Sequence, residues 1–191
     1  MSSAEKLGVV LIGHGAPATD CPPRLIGELM SLLFMGGGHD HGSAAAGHGH
    51  GQPQGRAAAL DAQIRNWPRT PQNDPYKVGL EQFAEALRPL LPTDLFAIGY
   101  NEFCTPTIAE AVSGIIARGA TRVLVIPSML TPGGVHSEID IPAQLDSLRR
   151  AHPQAAIDYC WPFPVEQIAA LLAEQVRRSA DTRPVSDIAV D

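Results

Sequence analysis

Positive charge is scarce in this chain of 191 residues: 14 Lys and Arg stand against 20 Asp and Glu, for a net charge of −6. No basic run offsets that balance, so a nucleic-acid surface is not expected. Aromatic residues make up only 5%, and a core must therefore be built from aliphatic side chains. The three cysteines, Cys21, Cys104 and Cys160, lie far apart and form no C-x-x-C pair. That leaves zinc ribbons and thioredoxin chemistry unsupported and fits a reducing compartment. No apolar run approaches the roughly 20 residues of a membrane helix. Met1 leads through polar residues straight into a strand-like run, without a signal-peptide pattern, so the chain is expected in the cytoplasm. There is no P-loop, and Gly13-His14-Gly15 is not a dinucleotide fingerprint. Ser137, beside His136, lacks the G-x-S-x-G elbow of a hydrolase.

What the chain does have is 45% hydrophobic residues, enough for one α/β domain. They fall into short apolar runs alternating with amphipathic stretches. Leu7 to Ile12, Asp94 to Tyr100, Arg122 to Leu130 and Ala155 to Tyr159 read as strands. The first is apolar throughout, as suits a strand buried on both faces. Pro22 to Leu33, Arg56 to Ile64, Lys77 to Leu91, Ile108 to Arg118, Ile141 to Arg150 and Val165 to Arg178 read as helices. In the third, Leu80, Phe83, Ala84, Leu87 and Leu90 form one stripe. Thr107 is placed to cap the fourth helix and Gly119 to stop it. The alternation implies an α/β fold: a four-stranded parallel sheet with helices on both faces, in a single domain over residues 1–178. Two segments fall outside this pattern. Residues 35–55 are Gly, Ala, Ser and His with almost no large apolar residue, and predict a flexible insert. Their His39, His41, His48 and His50 form two H-x-H pairs suited to loose binding of cobalt, nickel or zinc. Residues 179–191 are polar and predict a disordered tail.

Chemistry gathers where strands hand over to helices, the edge at which parallel sheets bind ligands. His14 follows the first strand between two glycines, Glu102 follows the second, and His136 follows the third after Gly133-Gly134. Two imidazoles and a carboxylate on one edge can ligate a divalent metal with positions left open. Such a site could activate water or hold a metal for delivery. Asp140 is well placed to cap the helix that follows. Between the second and third helices runs a proline-broken loop, Arg65 to Tyr76. Its Arg65, Arg69, Trp67 and Tyr76 set cations beside aromatic faces, a mix that suits a flat acidic ligand.

Three stretches carry a family resemblance. Leu11-Ile12-Gly13-His14-Gly15, then Glu102-x-x-x-Pro106-Thr107-Ile108, then Val125-x-Pro127 followed by Gly134-Val135-His136-x-x-x-Asp140-Ile141-Pro142, resemble the CbiX-type sirohydrochlorin chelatases. These are class II chelatases of the ferrochelatase-like superfamily, with a flavodoxin-like fold. The likeness covers most of the chain outside the insert and tail, and a His-rich tract also occurs in some members. It implies insertion of a divalent metal into a tetrapyrrole for cobalamin or siroheme-type cofactors. Cobalt is the first expectation and iron or nickel the alternatives. A non-catalytic metal-binding protein or metallochaperone is the competing class. By the same resemblance His14 and His136 would ligate the metal and accept pyrrole protons, assisted by Glu102. The metal is then a substrate, and no organic cofactor is expected. Arg24, Arg65, Arg69 and Lys77 are candidate clamps for the macrocycle's carboxylates. A homodimer enclosing the tetrapyrrole is implied, since larger members carry two such domains in tandem.

Overall fold

A computed structural model of the chain describes residues 5–35 and 54–181. The insert's His39, His41, His48 and His50, and the tail beyond Asp181, lie outside the described residues. The described strands are β1 (Leu7–Gly13), β2 (Phe96–Tyr100), β3 (Arg122–Pro127) and β4 (Ala156–Tyr159). The helices are α1 (Pro23–Met35), α2 (Gly55–Arg65), α3 (Pro75–Leu87), α4 (Ile108–Ala117), α5 (Ile141–Ala151) and α6 (Val165–Asp181). All strand pairs are parallel, in the order β2-β1-β3-β4. The chain leaves β1 toward one side to make β2 and returns on the other to make β3. The switch point of the sheet therefore lies between β1 and β3, where a crevice opens beyond the strands' carboxyl ends.

The apolar run of β1 is explained by its two faces. Val10 and Ile12 pack with Ile108, Val112 and Ile115 of α4 and with Ile141 and Leu145 of α5. Val9 and Leu11 point the other way, into a cluster with Leu80 and Ala84 of α3 and Phe96 of β2. Each such side chain contributes about 1.5–3 kcal/mol by leaving water, so the central strand anchors both layers. Packing is close enough that a Cβ on Gly8 would lie 2.3 Å from Ile115 Cγ2. A third cluster joins Leu25 and Leu29 of α1 to Leu60 and Ile64 of α2.

Several boundaries differ from those predicted, each for a local reason. β3 stops at Pro127 rather than Leu130, and Ser128 N–H makes a last bond to the Ile12 carbonyl (2.8 Å). α3 starts two residues early because Asp74 caps it, accepting from Lys77 N–H (2.9 Å). It gives way at Arg88 to a 3₁₀ turn, where Pro89 cannot continue the α-helical ladder. Its predicted stripe splits. Leu80 and Ala84 are buried, but Phe83 is 50% exposed and Leu90, in the 3₁₀ turn, 78%. α6 continues three residues past Arg178, to Asp181. The chain divides into two compact units, Met1–Cys160 and Trp161–Asp191. Among the described residues no helix is long and apolar enough to cross a membrane.

The predicted cap of α4 is present as a reciprocal box. Thr107 Oγ1 accepts from Glu110 N–H (3.2 Å), and Glu110 Oε2 accepts from Thr107 N–H (2.7 Å). Thr107→Ala is expected to lower unfolding free energy by about 1 kcal/mol, read as a shift in the urea midpoint. An unshifted midpoint would mean that packing alone holds this helix end.

Candidate metal centre

The three strand exits are stitched together by backbone hydrogen bonds. Asn101 N–H donates to the Gly13 carbonyl (2.9 Å) and Glu102 N–H to the His14 carbonyl (2.8 Å), while Ser128 N–H reaches Ile12. Gly15 sits at φ +91°, and a Cβ there would fall 1.9 Å from the Glu102 carbonyl oxygen. Only glycine lets the β1 and β2 exits come this close. Gly13 is as tight on the α3 side, where a Cβ would lie 2.2 Å from Leu80 Cδ2. The glycines flanking His14 thus let two neighbours close on it. Gly133, at φ +87°, makes the turn that leads to His136.

His136 opens one widened π turn, His136–Asp140, that runs directly into α5. This corrects the expected role of Asp140. Its backbone is already helical (φ −69°, ψ −49°), its side chain forms no cap, and the turn before it leaves no helix start there. Instead, Asp140 Oδ2 lies 2.6 Å from His136 Nδ1, one helical turn away. Asn101 Nδ2 lies 3.0 Å from the same ring nitrogen, and Asn101 in turn accepts from Gln144 Nε2 (2.9 Å). Tyr159 pins the turn from below by donating to the Ser137 carbonyl (2.9 Å). Burial pushes that hydroxyl up to about 12, so it keeps its proton.

These contacts fix the tautomers. The shorter contact decides for His136: a carboxylate has no proton to give, so Nδ1 donates to Asp140 and cannot also accept from the Asn101 amide, which lies beside it. His14 Nδ1 donates to the Gly15 carbonyl (2.7 Å), and Tyr76 Oη accepts from His14 N–H (2.7 Å). Both Nε2 atoms are then acceptors, and they face one another at 3.1 Å, with the rings edge to face. Two lone pairs at that separation need a proton or a cation between them. A zinc–imidazole bond is about 2.0–2.1 Å, so two nitrogens 3.1 Å apart would meet one ion at roughly 95–100°. Glu102 straddles the gap, with Oε2 4.0 Å from His14 Nε2 and Oε1 4.0 Å from His136 Nε2. Among the described residues these three form the grouped donor set. Their side chains are about a third exposed (38%, 33% and 29% for His14, Glu102 and His136), so the donors meet at an open edge.

The other predicted residues go elsewhere. Arg65 donates to the Cys104 and Asn101 carbonyls (both 3.0 Å) and pairs with Asp61. Arg69 donates to the carbonyls of Ala16 (2.8 Å), Phe103 (2.6 Å) and Ile64 (3.1 Å) and pairs with Asp74. Both arginines thus brace the loops that carry His14 and Glu102. Trp67 Nε1 donates to Asp20 (3.0 Å). Lys77 pairs with Glu81 (2.8 Å) and lies over the Tyr100 ring. Arg24 is exposed on α1. Cys104, two residues from Glu102, is buried, and burial pushes its thiol up. It stays a thiol and does not join the donors. Sequence reasoning missed the parts played by Asn101 and Gln144. The His136–Asp140 partnership was visible only as an i, i+4 spacing.

An α/β sheet with two imidazoles and a carboxylate gathered at its switch point presents a donor set of the kind that could hold a divalent ion. The CbiX family model matches residues 71–179, and the chain belongs to the CbiX family. The match includes Glu102, His136 and Asp140, while His14 precedes it. The chain is 35% identical over 94 residues to the sirohydrochlorin cobaltochelatase of Priestia megaterium, covering 48% of this chain and 30% of that protein. It is 29% identical over 107 residues to the sirohydrochlorin ferrochelatase of the same organism, covering 54% and 40%. The chain therefore spans less than half the length of these curated relatives. The solved structure of SirB from Bacillus subtilis with Fe3+ shares the fold, with a TM-score of 0.53 at 17% identity, over 94% of this chain and 48% of that one.

If Asp140 holds the His136 ring in place, Asp140→Ala is expected to weaken Co2+ binding by about 10–100-fold, the usual cost of losing such a partner. Asp140→Asn should fall between it and wild type. Competition with a chromophoric chelator measures both, and equal affinities in all three proteins would refute the role.

Proposed function

We propose that this protein is a sirohydrochlorin chelatase that inserts a divalent metal into the tetrapyrrole, cobalt in the first instance, with iron or nickel as alternatives. The product would feed a cobalamin- or siroheme-type cofactor. The observation that carries the proposal is the pair of Nε2 lone pairs 3.1 Å apart, flanked by the Glu102 carboxylate. Insertion exchanges one divalent ion for two pyrrole N–H protons. His14 and His136 replace water on the incoming ion, release it to the macrocycle nitrogens, and each accept one proton as Nε2 becomes free. Asp140 stabilises the imidazolium formed at His136, and the Gly15 carbonyl does the same at His14. Glu102 offsets the ion's charge while it is held.

The relatives' names support the activity and differ over the metal, one cobalt and one iron. All three candidate ions bind imidazole well, and selectivity often follows supply. The three donors stand at an open edge, which leaves room for a second copy of the chain to face them, and a homodimer is the proposed assembly. For contacts to the substrate's carboxylates, the exposure of Arg24 and the placing of Lys77 on α3 favour these two over Arg65 and Arg69, whose nitrogens face carbonyls. Free Cys21, Cys104 and Cys160 support a cytoplasmic setting.

Mixing protein, sirohydrochlorin and metal and following the visible spectrum tests the activity. A rate above the uncatalysed control is expected, highest with Co2+. No acceleration by Co2+, Ni2+ or Fe2+ would overturn the enzyme and leave a metal-binding protein or metallochaperone.

The insert's four histidines fit a metal store rather than part of the centre, because so glycine-rich a tract has no fixed geometry to impose on an ion. Deleting residues 36–55 should lower the number of ions bound per chain and leave the maximal rate intact. A fall in rate at saturating metal would show instead that the insert covers the substrate.

A further inference from the structure

One buried amide links every element around the metal centre. Asn101 is 6% exposed, at the exit of β2 and one residue before Glu102. Its backbone is tied on both sides: the N–H donates to the Gly13 carbonyl (2.9 Å), and the carbonyl accepts from Arg65 (3.0 Å). The side chain therefore springs from a fixed root, and it touches two further elements. Asn101 Nδ2 lies 3.0 Å from His136 Nδ1 on the π turn, and Gln144 Nε2, half-buried on α5, lies 2.9 Å from Asn101 Oδ1.

An amide has a donor end and an acceptor end of nearly equal shape. The proton on His136 Nδ1 goes to Asp140, so a donor end turned toward that nitrogen is repelled. Turning Asn101 and Gln144 over in step exchanges oxygen for nitrogen at each contact and leaves every other atom in place. Asn101 Oδ1 then shares the Nδ1 proton with Asp140, and Asn101 Nδ2 donates to Gln144 Oε1. Neither amide turns alone, because two oxygens or two nitrogens would then meet at 2.9 Å.

We propose that Asn101 and Gln144 are positioning residues for His136. Turned acceptor-first, the coupled amides hold the ring proton on Nδ1 and keep the Nε2 lone pair directed at His14 and Glu102. A single acceptor leaves the ring free to swing, whereas two acceptors from different elements fix its plane. This inference rests on the metal-binding role of His136 in the chelatase reading, and does not depend on what receives the ion.

The test uses Co2+ alone with full-length wild-type, Asn101→Leu, Gln144→Glu and Gln144→Lys proteins. Affinity is read by chelator competition. The protonated nitrogen of His136 is read from 15N shifts of the metal-free protein at about pH 8.5, where imidazole is neutral. Asn101→Leu, of similar size but without polar ends, should weaken Co2+ binding about tenfold and move part of the proton to Nε2. Gln144→Glu offers only acceptors and should keep the proton on Nδ1. Gln144→Lys offers only a donor and should give the Nε2–H signal and weaker binding. If Asn101→Leu does not fold, the two Gln144 variants, changed at a half-buried position, decide. Wild-type protein that bound no Co2+ would remove the donor set, and with it both the chelatase reading and this inference. Wild-type binding with the same His136 tautomer in Gln144→Glu and Gln144→Lys would overturn this inference alone. Thermal midpoints that fell while the tautomer stayed put would overturn it too, since the amides would then serve packing only.

Discussion

Among the described glycines, the tightest approach is that of the Glu102 backbone to Gly15. Glu102 N–H bonds the His14 carbonyl at 2.8 Å, and the Glu102 carbonyl leaves no room for a Cβ on the following glycine. Much else depends on that approach. It brings the carboxylate beside the imidazole of the neighbouring strand and aligns the Gly15 carbonyl with His14 Nδ1. It also creates the crowded carbonyl cluster that Arg65 and Arg69 satisfy. Buried carbonyls without donors would be costly, so the two arginines answer a need set by this one close contact.

How far the sequence disclosed this follows from which signals are local. The strand exits were legible because an apolar run ending in Gly-His-Gly or Gly-Gly-Val-His marks both a buried strand and a sharp turn. A parallel sheet then puts every such exit on one edge, so His14, Glu102 and His136 could be grouped without coordinates. Asp140 was misassigned because a carboxylate just before a helical run has the same spacing whether it caps the helix or reaches back four residues. Only the π turn, invisible to periodicity, decides between them. Arg65 and Arg69 gave no direction, since a cation in a proline-broken loop points wherever tertiary contacts take it. Phe83 was placed in the core stripe because period alone does not say where one apolar face ends and a second begins.

The family match begins at residue 71 and so does not reach His14. The geometry supplies that donor independently, through its 3.1 Å contact with His136. The same geometry separates the charges by task. Arg65 and Arg69, which look free in sequence, are turned inward to hold loops, while the carboxylate of Glu102 stands at the opening. An edge of this kind draws positive ions, and an acidic ligand must find its cations elsewhere on the surface.

The bonds made by the far nitrogens of the two imidazoles have a further consequence. Each ring is anchored by protein: one by a carbonyl of its own loop, the other by a carboxylate one helical turn on. The two rings are thus oriented by the scaffold through their far nitrogens, whatever lies between the near ones. In a zinc finger the ion is the keystone, and taking it out unfolds the chain. On the proposed reading, an ion could leave such a socket without undoing the fold, which is the mechanical condition for a site that gives up what it binds.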